Sequence, residues 1–448
     1  MIVVLGGGPA GRIASIRLAS AGKKVTLVEP KGKSRGIGGQ CLHFGCMPVC
    51  ALNDVARIVS TVRRCHELGM IDAVPALRFS KVMDETLAVQ QKIAGILDEE
   101  TRTAGVDIVY GKPGRVEGRQ VFIGDDPVEA EAAIIATGSR PNIPDIPGVS
   151  LPGVYTPHTL WDTRELPEKI AIIGGSVMAA EFAYIFQEFG SDVVVLARSS
   201  FLKNLDRHLR AVAIKELAGV EIREGVEVTG IAGTARATGI QYRAAGTKTG
   251  IPAGAVLLAA GLVPNSGMVT GIDKGPGGEI LTNDRMQTSM PGIYACGDVA
   301  GGPFLTPVAR HEGIVAADNI LGKERHMDYS RIPQAIYLAH ELAFCGGGGE
   351  GIASLALPGP AGPGTYWSVA YGDTGLAKIF ADPATGGIAG ICAAGPAGGT
   401  IAGYLAFLMQ RRVSVHDFEE FIEVHPSTDG IYGLAKYSSE LFRKHNPP

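Results

Sequence analysis

The N-terminal stretch IVVLGGGPAGRIASIRLASAGKKVTLVE, Ile2 to Glu29, decides the reading of this chain. Ile2–Leu5 is an apolar run long enough for a buried strand. Gly6, Gly8 and Gly11 follow in a G-x-G-x-x-G pattern enclosing Pro9 and Ala10, and a helix-like run spans Arg12 to Ala21. Val25–Val28 predicts a second strand, closed by Glu29 eighteen residues beyond Gly11. Strand, glycine turn, helix, strand and acid in this order predict a dinucleotide site. The glycines let a pyrophosphate approach the backbone, the helix N-terminus offers N–H donors, and Glu29 accepts from a ribose hydroxyl.

A second unit repeats the pattern. Ile170–Ile173 reads as a strand, Gly174, Gly175, Ser176 and Ala179 form a degenerate glycine turn, a helix runs Val177–Gly190, and a strand runs Val193–Leu196. It ends in Ala197 and Arg198, where the first unit ends in Glu29. An arginine there pairs with a 2′-phosphate, which argues for NADPH over NADH. Two further strands run into turns at Ala133–Arg140 (AIIATGSR) and Ile293–Asp298 (IYACGD), and Ala255–Asn265 (AVLLAAGLVPN) reads as another strand. From Arg331 the character changes. Strands are expected at Ala335–Leu338, Ser368–Ala370, Ala377–Phe380 and Gly387–Cys392, then helices at Gly399–Arg411 and from Gly430 onward. Strands followed by helices predict an α+β domain.

The bulk numbers bound the function class. The 448 residues are 46% hydrophobic and 19% charged, enough for about three domains with large cores. A net charge of −4 without a basic stripe gives no nucleic-acid footprint. There is no signal-peptide pattern and no apolar run of membrane-spanning length, so a cytoplasmic protein is expected. Seven cysteines at irregular spacing are not a secreted disulfide framework.

Two of those cysteines carry the chemistry. Cys41 and Cys46 lie in GIGGQCLHFGCMPVC, Gly36 to Cys50, just past the nucleotide signature. In unbroken helix their spacing alone is a rise of about 7.5 Å, beyond a comfortable disulfide Cα span of up to ~6.8 Å. Gly45 and Pro48 relieve this, because proline suits a first helical turn. A helix starting near Cys46 favours its thiolate. The expected division is a buried Cys46 thiolate with Cys41 on an irregular lead-in, nearer solvent. Structural cysteines or a metal pair are the alternatives to a redox pair; no second Cys/His pair follows, and no metal site is expected.

With these residues in place, the chain resembles the class I pyridine nucleotide–disulfide oxidoreductases: dihydrolipoamide dehydrogenase, glutathione reductase and mercuric reductase. The motifs are the first glycine loop, GGQCLHFGCMP with Gly39 and Gln40, ATG at Ala136, Thr137 and Gly138, the second glycine turn, Gly261 before the Pro-Asn turn, Gly297–Asp298, LTPVA with Leu305, Thr306 and Pro307, and His425–Pro426. The resemblance implies an α/β fold with two Rossmann-like domains and an α+β interface domain. FAD is expected on residues 1–143 and 262–328, NAD(P)H on 144–261, and dimerisation through 329–448. It implies a homodimer reducing a small-molecule or protein disulfide. Cys41 is the interchange thiol and Cys46 the charge-transfer thiol beside the flavin. Asp298 binds the ribityl chain, and His425 is the acid–base residue donated across the dimer.

Three positions depart from that pattern. Cys50 stands where the family has a lysine that pairs with a glutamate matching Glu181. Gly430 stands where a glutamate orients the catalytic histidine, with Asp429 and then Glu423 as candidate substitutes. Leu262 replaces a common arginine. No cysteine follows Cys392, so the C-terminal pair of mercuric and thioredoxin reductases is missing. Alternatives to an ordinary disulfide reductase are a reductase of a thioether or unusual thiol cofactor, similar to 2-ketopropyl-coenzyme M oxidoreductase/carboxylase, and a flavoprotein electron-transfer partner.

Overall fold

The structure is a computed structural model that describes residues 1–72, 74, 76–359, 361–425 and 430–445. The described α-helices are α1 (Pro9–Ser20), α2 (Gly39–His43), α3 (Cys46–Glu67), α4 (Phe79–Thr103), α5 (Val177–Phe189), α6 (Arg207–Glu216), α7 (Thr306–Ile320), α8 (Gly398–Gln410) and α9 (Gly430–His445). The chain divides into two compact units: Met1–Leu52, Phe79–Glu165 and Leu257–Asp328 in one, Asn53–Arg78, Leu166–Val256 and Tyr329–Pro448 in the other.

The first unit is built on a five-stranded sheet. Its strands β1 (Ile2–Leu5), β2 (Val25–Glu29) and β3 (Val106–Tyr110) continue through Ala132–Ile135 and Ile293–Ala295, in the order 293–295, 132–135, β1, β2, β3. All four pairings are parallel. Every residue of β1 and β2 is buried. Ile2 and Val4 enter one core cluster, Val3 and Leu5 the cluster on the opposite face. That is why the strand reads as a continuous apolar run rather than an alternating one. Strand order reverses beside β1, which pairs with β2 on one side and with 132–135 on the other. Open parallel sheets bind ligands outside the carboxyl ends of their strands at such a switch point. Helix α1 begins three residues before the expected Arg12, because Pro9 already has the φ of a first turn.

In the second unit three parallel strands, Lys169–Ile173, Asp192–Ala197 and Glu221–Glu224, repeat the theme with α5 between the first two. Helix α5 stops at Phe189 because Gly190 turns left-handed at φ 106°. A separate antiparallel sheet follows, in the order 334–337, 341–346, 388–395, 376–381, 353–357. Its apolar face packs against α8 and α9 through Ile379, Ile391, Leu405, Met409, Leu434 and Phe442.

Three expectations need correction. Ala255–Asn265 is not one strand but two, Ala255–Leu258 and Leu262–Pro264, broken at Gly261 with φ 97°. Ser368–Ala370 is not a strand; Ser368 makes a single bridge to Asp373, and Trp367 and Val369 point to solvent. Conversely Glu341–Gly346 and Ala353–Leu357 are strands that the sequence reading passed over. Their short, alanine- and glycine-bearing runs carry little β-propensity, and pairing with Ile388–Gly395 and Leu376–Ala381 supplies what the local sequence lacks.

Candidate active site

The carboxyl ends of the first unit's sheet open into a cleft. Gly6, Gly8, Pro9, Ala10, Glu29, Gly39, Gln40, Ala136, Thr137, Gly138, Gly297, Asp298 and Thr306 line it, together with Cys41 and Cys46. Register brings the parts together: Leu5 pairs with Val28, so the glycine turn and Glu29 leave the sheet side by side. The turn is sterically exact. A Cβ on Gly11 would lie 2.0 Å from the Gly6 carbonyl oxygen, and one on Gly39 would lie 2.7 Å from Gly8 Cα. Gly8 precedes α1 without a side-chain cap, so the first N–H groups of the helix remain available to an anion. Glu29 is buried, with one oxygen accepting from Gly7 N at 2.8 Å and the other from Lys31 N at 3.1 Å. Burial pushes its pKa up and those two N–H groups pull it back. Asp298 accepts from Ser139 Oγ at 2.6 Å, and burial raises its pKa as well. The Gly297 N–H donates to the buried Glu312 carboxylate at 2.6 Å, which fixes the turn carrying Asp298. These N–H donors, the acid at the end of β2 and the glycine cradle suit a dinucleotide such as FAD.

The dithiol lines this cleft. Its loop closes around the Gln40 carbonyl, which accepts from Phe44 N at 2.9 Å and Gly45 N at 2.8 Å. That closure ends α2 and lets α3 start at Cys46, so the spacing that forbids contact in a continuous helix brings the two sulfurs into hydrogen-bond contact. Cys41 donates to Cys46, and Thr306 Oγ1, at the start of α7, lies 3.6 Å from the Cys46 sulfur. Both interactions favour the Cys46 thiolate; its pKa falls to about 6, chiefly through the Cys41 hydrogen bond, against the opposing effect of burial. Cys41 moves the other way, well above an ordinary thiol, because it is the donor. The expected residue exposures are reversed: Cys46 is exposed as a residue although its sulfur is desolvated, and Cys41 is half-buried. Cys41 is packed inside α2 rather than on an irregular lead-in, whereas Cys46, first residue of α3, opens onto the cleft.

The family of pyridine nucleotide-disulphide oxidoreductases matches residues 1–313. The chain belongs to this family. Its relatives include dihydrolipoyl dehydrogenases of Bacillus subtilis, 28% identical over 96% of this chain and 94% of that protein, and of Acholeplasma laidlawii, 31% identical over 71% of this chain and 96% of that protein. In fold it is similar to the HOCl-induced flavoprotein disulfide reductase RclA of Escherichia coli, with a TM-score of 0.82, 23% identity and 99% of each chain covered. The chain is thus an FAD-dependent pyridine nucleotide–disulfide oxidoreductase of dihydrolipoamide dehydrogenase-like architecture.

The remaining residues expected at an oxidoreductase site divide by location. Leu305 and Pro307 flank Thr306 at the N-terminus of α7, and Phe304 beside them lines the cleft with φ 51°, an unfavourable value for a side chain of that size. Gly261 stands off the cleft; its carbonyl accepts from Asn142 N at 2.9 Å. Cys50 is exposed on α3 and is not among the cleft-lining residues. In the second unit, Ile173 pairs with Leu196, so Gly174 and Arg198 leave their sheet together. Ser176 precedes α5, and Leu202 N donates to the Gly175 carbonyl at 2.8 Å, folding the loop after Arg198 back over the glycine turn. Glu181, on α5, accepts from Tyr337 N at 3.1 Å. His425 is exposed; Glu423 pairs with Lys436 at 2.7 Å, and Asp429 lies outside the described residues. Sequence reading missed Lys31, Phe44, Ser139, His158 and Asn265, all of which line the cleft. Lys31 could have been found from its place two residues after Glu29. Asn265 locks the ATG turn by donating to the Thr137 carbonyl at 3.1 Å, and nothing local in the sequence signals it.

Proposed function

We propose that this oxidoreductase uses NADPH to reduce a small disulfide through Cys41 and Cys46, as a homodimer in which His425 serves the partner's dithiol. The observation that supports it best is the polarised dithiol: Cys46 at a helix N-terminus, hydrogen-bonded by Cys41 and Thr306, opening onto the dinucleotide cleft. Bound FAD supplies the two-electron relay between nicotinamide and sulfur. The protein's own steps are thiol–disulfide exchange. The Cys41 sulfur attacks the acceptor disulfide, one thiol leaves, and a mixed disulfide forms. The Cys46 thiolate then attacks Cys41, releasing the second thiol and closing Cys41–Cys46. Because the raised pKa of Cys41 keeps it protonated, the first step needs a base, and His425 is the residue the family pattern assigns.

Arg198 supports NADPH. It is exposed, follows directly on its strand Asp192–Ala197, and makes no ion pair with a described residue. A guanidinium so placed suits a 2′-phosphate. The missing lysine at Cys50 and the missing acid at Gly430 favour an acceptor other than lipoamide.

Anaerobic titration tests the reading. NADPH should bleach the flavin faster than NADH and develop a long-wavelength thiolate–flavin band. Cys46→Ser should keep FAD and lose the band, and Arg198→Glu should reverse the nucleotide preference. An unchanged band in Cys46→Ser rejects the dithiol assignment. An unchanged preference in Arg198→Glu rejects the phosphate contact.

A further inference from the structure

A residue far from the sequence motifs is tied to the dithiol loop. His158 Nε2 lies 3.0 Å from Gln40 Oε1, across 118 residues of sequence. Its ring is stacked on Phe44, centroids 4.4 Å apart and planes 29° apart. Phe44 also carries Lys31, whose Nζ lies 4.4 Å from the ring centroid. Trp161, three residues after His158, donates from Nε1 to the Phe44 carbonyl at 3.3 Å and to the Pro157 carbonyl at 2.8 Å. The segment carrying His158 and Trp161 is thereby held to the dithiol loop at two points.

We infer that His158 is a positioning residue: it fixes the Gln40 side-chain amide so that its NH2 donates to the FAD bound in the cleft. With Gln40 Oε1 facing it, the His158 ring is assigned the tautomer that carries the proton on Nε2, since a carbonyl oxygen only accepts. Burial, reinforced by the Lys31 charge, lowers the His158 pKa to about 4, so the ring is a neutral single donor at physiological pH. With its oxygen engaged, the Gln40 amide presents its nitrogen elsewhere, and that nitrogen makes no hydrogen bond to a described residue. Gln40, Gly8 and Gly39 line the same cleft. The flipped amide would turn its oxygen towards a ligand rich in phosphate and hydroxyl acceptors, an unfavourable pairing. An amide without a fixed partner samples both orientations; the N–H of a His158 ring held by its stack on Phe44 favours one before FAD arrives, which lowers the ordering cost of binding.

This inference rests on the reading that the cleft holds FAD. Its test is flavin retention by the purified holoprotein, read as free-flavin fluorescence on serial dilution, and needs no turnover. His158→Phe keeps an aromatic ring for the stack and removes the donor. It should weaken retention roughly fivefold, within the range one hydrogen bond supplies. His158→Gln, which keeps an N–H at similar reach, should stay within about twofold of wild type. Gln40→Ala should lose about as much as His158→Phe, and the double variant little more, because the two act through one bond. Retention by His158→Phe equal to wild type overturns the inference. So does a multiplicative double variant, or an equal loss in His158→Gln. Wild-type protein that neither carries nor takes up FAD ends the cofactor reading itself, and the inference with it.

Discussion

At the dithiol, one sulfur is made acidic by the other. An ordinary thiol titrates near 8.5, whereas Cys46 is lowered to about 6, first by the hydrogen bond from Cys41 and then by Thr306. A lowered pKa on an acid means the anion prevails above it, so Cys46 is a thiolate at neutral pH and is protonated only as pH falls through about 6. Alkylation of Cys46, followed by peptide mass spectrometry on the reduced protein, should rise through a midpoint near that pH. Cys41→Ala removes the largest cause and should move the midpoint up towards the ordinary thiol value, while Cys41→Ser, which keeps a donor, should move it less. A midpoint unmoved in Cys41→Ala would show that the helix terminus, not the neighbouring thiol, sets the acidity. The departure at Cys50 belongs to the same scale. Its thiol is exposed on α3 and is not among the residues lining the cleft.

Two helix N-termini must meet the cofactor cleft at fixed places, and one glycine sets the approach. Helices α1 and α7 pack together, and a Cβ on Gly313 would lie 2.4 Å from the Ala10 carbonyl oxygen and 2.9 Å from Ile13 Cγ2. The first of these neighbours is backbone and cannot rotate away. Helix α1 carries the first-turn N–H groups left without a side-chain cap at the cleft, and α7 carries Thr306 to Cys46. Gly313→Val should therefore separate the helices, costing about 1–3 kcal/mol as overpacking does. FAD release should rise in parallel. The thermal midpoint and free-flavin fluorescence read the two effects together; an unchanged midpoint would show that the helix pair tolerates the added bulk. Gly11 illustrates the same physics inside one element. Its missing side chain lets the first turn of α1 close over Gly6, as the motif predicted from sequence.

Dimerisation is the reading proposed for the whole molecule. Ile422 and Val424, just before His425, are 92% and 77% exposed, and Trp367 is 86% exposed. On that reading a second copy of this chain would cover these side chains and bring a histidine to each dithiol. An isologous pair makes a sharp prediction. A Cys41→Ser chain and a His425→Ala chain, each inactive as a homodimer, should regain activity when refolded together. Random pairing makes about half the dimers mixed, each with one intact site, so about a quarter of all sites recover. Full activity of His425→Ala alone would show that the proton comes from elsewhere. An inactive His425→Ala chain that mixing fails to rescue would refute the shared site.

The parts written in contiguous residues were legible without a fold. Strand, glycine turn, helix and acid at Ile2–Glu29 follow from local sterics and periodicity, and so does the start of α3 at Cys46, where Gly45 and Pro48 set the helix boundary. Arg198 after its strand was readable for the same reason. The exposures of Cys41 and Cys46 were not, because they depend on α2 forming and on which side of the loop the cleft opens. The split at Gly261 and the strands Glu341–Gly346 and Ala353–Leu357 were equally hidden, since their ladders are made with distant residues. Asn265 and His158 acquire meaning only through partners more than a hundred residues away along the chain. Backbone geometry within a few residues is encoded locally. Proximity across a hundred residues is created by packing, and only the tertiary structure decides it.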